Sequence, residues 1–264
     1  MRPLVDTRLA RPGCEVLVRR RDARDGRWVV FLHGAGMDGE MFDAQFPAVP
    51  DDWGICAWDA RGHGASTLAG RFRYADLVDD LTALLASVDA SEVVLVGQSM
   101  GGNLAQTLVA SRPDAVQRLV LIDCTDNHGP LSGVERFLLS LAVPILACYP
   151  WELAVRQSAE ACGTRAETRT YAANALSATG RTRFLEVMGF GREAVTPDLG
   201  YRLPVPTLLV LGEHDRSGNI AAALRRWPER DPRARLVVIA DAAHNANQDA
   251  PGPVNEAIGV FLGW

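Results

Sequence analysis

The pentapeptide Gly97-Gln98-Ser99-Met100-Gly101 sets a serine between two glycines, directly after the apolar run 93–96 and before a helical pattern over 103–111. A hydroxyl at such a strand–turn–helix junction is held in a strained backbone and projects above the sheet at a helix N-terminus, where it can act as a nucleophile. It attacks poorly near pH 7 unless a neighbouring base takes its proton. Five histidines are available: His33, His63, His128, His214 and His244. His244 lies in the loop 240–247, after the last apolar run at 236–239, so it is expected at the same sheet edge as Ser99. His33 is followed at once by Gly34 and reads as a turn-shaping residue. His63, in Asp59-Ala60-Arg61-Gly62-His63-Gly64, reads as part of a structural polar turn with an Asp59–Arg61 ion pair. His128 is a candidate to line a pocket, and His214 stands beside an acidic candidate.

A histidine base needs an acceptor on its second ring nitrogen, to fix the tautomer and stabilise the imidazolium. Asp215, in Leu211-Gly212-Glu213-His214-Asp215, follows the strand before the histidine loop and is the expected acid. Asp123, at the end of the run 119–122, is the alternative; Glu213 and Asp241 fit less well. A tetrahedral oxyanion also needs preorganised donors, each worth roughly 3 kcal/mol. The Met100 N–H, at the start of the helix after the serine, is expected to be one. Ala35, in Phe31-Leu32-His33-Gly34-Ala35-Gly36, is expected to be the other, with Gly36 the alternative donor and a candidate substrate contact. Gln98 is a second candidate contact, through its amide.

These residues need a scaffold, and the chain spells one out. A loose alternation over 4–9 and 14–19, split by Arg11-Pro12-Gly13, predicts an opening antiparallel hairpin. The runs 28–32, 55–58, 93–96, 119–122, 207–211 and 236–239 are rich in Val, Ile and Leu, and most lack alternation, as strands buried on both faces do. Helical patterns lie between them, clearest at 74–88, where Leu77, Leu81, Leu84, Leu85 and Val88 recur at three- and four-residue spacing. Strand–helix alternation implies a parallel sheet covered by helices on both faces. It stops between about 127 and 197, where only helices are legible. We therefore expect an α/β core from residues 1–126 and 198–264, with 127–197 as a helical lid over the carboxyl ends of the strands. The apolar stretch 137–151 of that lid should turn partly toward the site, with Phe137 and Trp151 as candidate substrate contacts and His128 at its start.

Composition excludes several classes. With 264 residues, 48% hydrophobic and 22% charged, the chain is neither disordered nor fibrous. A net charge of −5 lacks the basic footprint of a nucleic-acid binder. The five cysteines are scattered without a C-x-x-C pair, as buried thiols in a reducing compartment would be. No signal-peptide pattern is legible near the start, and the apolar stretch 137–151 is shorter than the roughly 20 residues that span a bilayer. The expectation is a cytoplasmic monomer or homodimer acting on a small molecule.

Taken together, His33-Gly34-Ala35-Gly36, Asp59-Ala60-Arg61-Gly62-His63-Gly64, Gly97-Gln98-Ser99-Met100-Gly101-Gly102, Leu211-Gly212-Glu213-His214-Asp215 and the His244 loop resemble the α/β-hydrolase superfamily. The likeness is to its lidded branch of esterases, enol-lactonases, carbon–carbon bond hydrolases and cofactor-free haloperoxidases. It implies a three-layer α/β-hydrolase fold, with a mostly parallel eight-stranded sheet, a helical lid, and no cofactor or metal. The implied activity is cleavage of an ester or lactone carrying an apolar group, through an acyl-enzyme built on Ser99, His244 and Asp215 in the chain order Ser, Asp, His. A carbon–carbon bond hydrolase using the same triad, or a hydrolase-fold binding protein with a vestigial one, are the alternatives. Ser99 argues against the epoxide hydrolases and haloalkane dehalogenases, which carry Asp at this turn. Two features depart from the usual pattern: Ala-Ala-His-Asn around His244, where Gly-His is commoner, and Gln98 before the serine.

Overall fold

The computed structural model describes residues 2–264. The alternating start of the chain pairs as an antiparallel hairpin, β1 (Val5–Arg11) with β2 (Cys14–Arg21). Six apolar strands follow: β3 (Arg27–Leu32), β4 (Gly54–Trp58), β5 (Glu92–Gln98), β6 (Arg118–Ile122), β7 (Thr207–Gly212) and β8 (Ala234–Ile239). They form one eight-stranded sheet in the order β1-β2-β4-β3-β5-β6-β7-β8. Only β1–β2 and β2–β4 are antiparallel; every other pair is parallel. Every residue of β4 and β7 is buried, because helices cover both faces, and this is why those strands read as unbroken apolar runs.

The covering helices of the core are α1 (Tyr74–Ala86) and α2 (Met100–Ser111), and later in the chain α8 (Ile220–Arg230), α9 (Ala246–Asp249) and α10 (Pro251–Leu262). In α1 the apolar stripe of Leu77, Leu81 and Leu84 is buried as its spacing requires, and Asp80 is buried with it. A buried carboxylate needs a partner. Arg61 supplies it through Nε at 2.7 Å and Nη2 at 2.7 Å, while Arg11 adds Nε at 2.9 Å. This corrects the expected Asp59–Arg61 pair. The guanidinium fork matches both oxygens of Asp80, while Asp59 instead accepts the main-chain N–H groups of Gly39 and Ala65.

Between β6 and β7 the chain is helical, as its lost alternation predicts: α3 (Gly133–Cys148), α4 (Trp151–Cys162), α5 (Ala166–Thr179), α6 (Arg181–Met188) and α7 (Gly191–Ala194). The last four bury Ala154, Cys162, Leu176, Phe184 and Val187, among others. In contrast α3, started by a Ser132–Glu135 capping box, has no buried residue. Its partly covered apolar positions are Leu139, Leu141, Val143 and Leu146, and Val134, Leu138 and Ile145 face water. No helix among the described residues is long and apolar enough to cross a membrane.

His33 and His63 sit in the core as a ring pair with centroids 5.0 Å apart. His33 meets the Gly34 carbonyl through Nδ1 at 2.7 Å and accepts the Ala60 N–H on Nε2 at 2.8 Å. His63 meets the Arg61 carbonyl through Nδ1, and its buried Nε2 has no partner among the described residues. Burial, and then the neighbouring His33, push His63 down to about 3. The unfolded chain therefore binds a proton at His63 that the folded one refuses, over the range from pH 6.5 down to about 3. Stability from this residue is complete above pH 6.5 and falls by about 1.4 kcal/mol per pH unit below it. We expect His63→Gln to flatten the acid side of the melting-temperature profile. Equal slopes for variant and wild type, measured at pH 7.5, 5.5 and 4.5, would rule this out.

Candidate active site

Ser99 follows β5 and caps α2, with φ +49° and ψ −116°, a conformation that L-residues rarely adopt. The turn tolerates no side chain on its flanks. A Cβ on Gly97 would stand 2.5 Å from the Gly101 backbone. The Ser99 N–H donates to the Ile122 carbonyl at 2.9 Å, which ties the turn to the end of β6. Ser99 itself remains partly exposed.

Asp215, in the loop after β7, has a fully buried side chain, and its Oδ2 lies 3.1 Å from His244 Nδ1. The Ser217 N–H donates to Oδ1 at 2.8 Å and sets the carboxylate's orientation. A neutral His244 facing a carboxylate through Nδ1 carries its proton there, which leaves Nε2 to serve as a base. The His244 side chain is 14% exposed. Burial works against its charged form, but the charge and hydrogen bond of Asp215, with Asp123 behind, outweigh it and hold the imidazole above its ordinary 6.5. Burial likewise opposes ionisation of Asp215, yet His244 and the Ser217 N–H bring it below 3.8. Asp123 makes no hydrogen bond to the His244 ring nitrogens; it accepts the Gly212 and Ala246 N–H groups instead. Between Ser99 and His244 no hydrogen bond is present among the described residues, a contact that often tightens only once substrate is bound.

The turn after β3 stands directly beside the serine: a Cβ on Gly34 would lie 3.3 Å from Ser99 Cβ. Neither the Ala35 N–H nor the Met100 N–H is engaged by an acceptor among the described residues. Gly36, at φ +76°, is where the insertion meets the turn. A Cβ there would stand 2.6 Å from Leu176 and 3.0 Å from Phe184. The Trp151 ring lies 5.8 Å from that of Phe184, so it belongs to the same apolar group. Tyr171 on α5 donates its hydroxyl to Asp38 Oδ1 at 2.8 Å and accepts the Asp38 N–H, so the insertion is latched to the turn.

Three expected contacts lie elsewhere. Phe137 is 62% exposed on the outer side of α3, because the stripe turned inward is that of Leu139, Val143 and Leu146. The Gln98 amide donates to the His244 carbonyl at 2.8 Å and to Asn245 Oδ1 at 3.3 Å, so it braces the histidine loop from beneath instead of reaching a substrate. His128 Nδ1 meets the Thr196 carbonyl at 3.0 Å and its ring packs 4.1 Å from Tyr201, which joins the two ends of the insertion. Conversely, Leu176, Phe184 and Tyr171 meet the turn without having been legible in the sequence. No motif marks them, since they are ordinary helix residues until α5 and α6 fold over Gly36. Glu213, His214 and Asp241 are the described residues that could hold a metal ion, with ligand atoms within 4.8 Å of one another. All three are exposed, and His214 Nε2 faces Asp241 Oδ1 at 3.8 Å as an ordinary surface pair.

A model of the alpha/beta hydrolase family matches residues 29–257. The sn-1-specific diacylglycerol lipase of Mus musculus is 28% identical over 249 residues, covering 89% of this chain and 80% of its own. A non-heme chloroperoxidase of Kitasatospora aureofaciens is 28% identical over 258 residues, covering 89% and 90%. Among solved structures, the enol-lactonase from Burkholderia xenovorans LB400 superposes with a TM-score of 0.77 at 20% identity, over 98% of this chain and 100% of that one. With a family match that runs from β3 to α10 and takes in the serine turn, the chain belongs to the alpha/beta hydrolase family.

Proposed function

We propose that the protein is a serine hydrolase that cleaves a carboxylic ester or lactone with an apolar group. The observation that carries this reading is the His244–Asp215 pair, hydrogen-bonded at 3.1 Å, in loops at the same sheet edge as the strained Ser99. In this mechanism Ser99 Oγ attacks the carbonyl carbon while His244 Nε2 takes its proton and Asp215 holds the imidazolium. The Ala35 and Met100 N–H groups receive the oxyanion. Collapse expels the alcohol, protonated by His244, and leaves an acyl-enzyme. A water molecule deprotonated by His244 then releases the acid and restores the serine. Residues 127–197 act as the lid, and its inner apolar group at Leu176, Phe184 and Trp151 receives the substrate's apolar part.

The test is a hydrolysis screen over p-nitrophenyl esters of graded length and a few lactones, with phosphonate labelling of Ser99 followed by mass. Each added CH₂ that the lid buries should improve kcat/KM by about 0.8 kcal/mol, roughly fourfold, until the space is full. Short-to-medium chains should therefore surpass acetyl, and Leu176→Ala should move the optimum to longer chains. If Leu176→Ala and Phe184→Ala change only the melting temperature, the lid is scaffold alone. Absence of labelling would point to a binding protein. Labelling without turnover of any ester or lactone would favour carbon–carbon bond cleavage.

A further inference from the structure

Asp123 ends β6 where Ser99, Asp215 and His244 converge. Among the described residues only Ser99, Asp123 and Asp241 combine a side chain with a positive φ, and Asp123 has φ +44°. Its carboxylate is completely buried and faces no Arg partner. Oδ1 accepts the Gly212 N–H at 2.7 Å, and Oδ2 accepts the Ala246 N–H at 3.2 Å. Gly212 stands three residues before the acid, and Ala246 two residues after the base. On its own backbone, Asp123 donates to the Val210 carbonyl on β7, and its neighbour Ile122 accepts the Ser99 N–H. One carboxylate thus joins the acid strand and the base loop, from a position adjoining the nucleophile's anchor.

A left-handed turn with one acceptor would be served better by Asn, which tolerates positive φ and carries no charge to desolvate. Asp offers two things that Asn lacks: a second acceptor oxygen and a negative charge. The second oxygen is matched by the Ala246 N–H, and the charge is answered when His244 becomes an imidazolium. We infer that Asp123 is a positioning residue of the triad: its two oxygens hold the β7 exit and the histidine loop together, and its charge joins that of Asp215 in favouring the imidazolium that His244 becomes during the reaction. The inference rests on the proposed serine-hydrolase reading.

The other titratable groups around His244 have been placed by the same packing. Asp215 faces it directly from the β7 loop. From α9, Asp249 is occupied by the Ala243, Thr164 and Arg165 N–H groups. The buried thiols of Cys124 and Cys162 are held neutral by burial first and nearby carboxylates second. Glu213, His214 and Asp241 lie exposed on the outer side of the loop. Burial first, and then Asp215, push the Asp123 carboxyl well upward, against the smaller downward pull of His244 and the two N–H donors.

The experiment compares Asp123→Asn with wild type in the full chain. The first readout is the His244 imidazole titration by NMR, assigned with His244→Gln, which needs no turnover. Loss of the second charge should lower the His244 pKa by about half a unit to one unit. The second readout is the pH profile: the acid limb of kcat/KM should move down with that pKa, kcat at the plateau should fall about tenfold, and KM should stay within about twofold. A folded variant with an unmoved His244 pKa overturns the inference. A loss equal to that of Asp215→Asn overturns it too, because Asp123 would then be the acid itself. If Asp123→Asn does not accumulate folded, Asp123→Ser carries the same comparison. Should no ester or lactone be turned over, the hydrolase reading fails while the NMR titration still judges Asp123.

Discussion

Ser99→Ala should lower kcat on p-nitrophenyl esters by on the order of 10⁴-fold or more, corresponding to about 5 kcal/mol of lost transition-state stabilisation. The size follows from what is removed. Without Oγ no acyl-enzyme can form, so His244 and Asp215 lose the group they activate, and only the oxyanion donors and binding remain. The fold should be indifferent to the change. Alanine keeps the Cβ at φ +49°, the Ser99 N–H still reaches the Ile122 carbonyl, and no hydrogen bond of the hydroxyl to another described residue is lost. The melting temperature should accordingly stay within a few degrees while turnover and phosphonate labelling vanish together. Full activity in a folded Ser99→Ala protein would remove the nucleophile and with it the whole mechanism.

Asp215→Asn should cost a similar amount, on the order of 10⁴ in kcat, by a different route. The buried carboxylate accepts from His244 Nδ1 at 3.1 Å. An amide can instead present its NH₂ to that nitrogen, which leaves the proton on Nε2, where the base must be empty. The imidazole also loses the charge that holds it above 6.5, so its pKa should fall and the acid limb of any residual kcat/KM should shift to lower pH. In the wild type the rise belongs above pH 6.5, since the base must be neutral and its pKa is raised. A flat wild-type profile, with chemistry rate-limiting, would remove His244 from this role. A mild effect of Asp215→Asn beside a severe one of Asp123→Asn would move the acid to β6.

The features legible in the sequence are those fixed by local backbone geometry. Buried parallel strands must be apolar at every position, and a serine turn this tight must be flanked by glycine. The order of strands, turn and loops could therefore be read along the chain. Helix spacing likewise exposed the break after β6, because a helical insertion cannot imitate strand–helix alternation.

What the tertiary structure decided concerns distance between residues far apart in the chain. Asp123 and Asp215 both follow strands at the same edge, and nothing local separates them. Only the packing of Gly212 against the histidine loop turns Asp215 toward Nδ1 and leaves Asp123 to the main chain. The Gln98 amide could have pointed either way, and it was taken by the His244 carbonyl. On α3, side chains apolar all around the helix give no phase, so which stripe turns inward depends on the neighbours it meets, and Phe137 was left in water. Leu176 and Phe184 came to lie against Gly36 for the same reason. Periodicity marks a residue as buried, and the partner it is buried against is fixed only when separate segments pack.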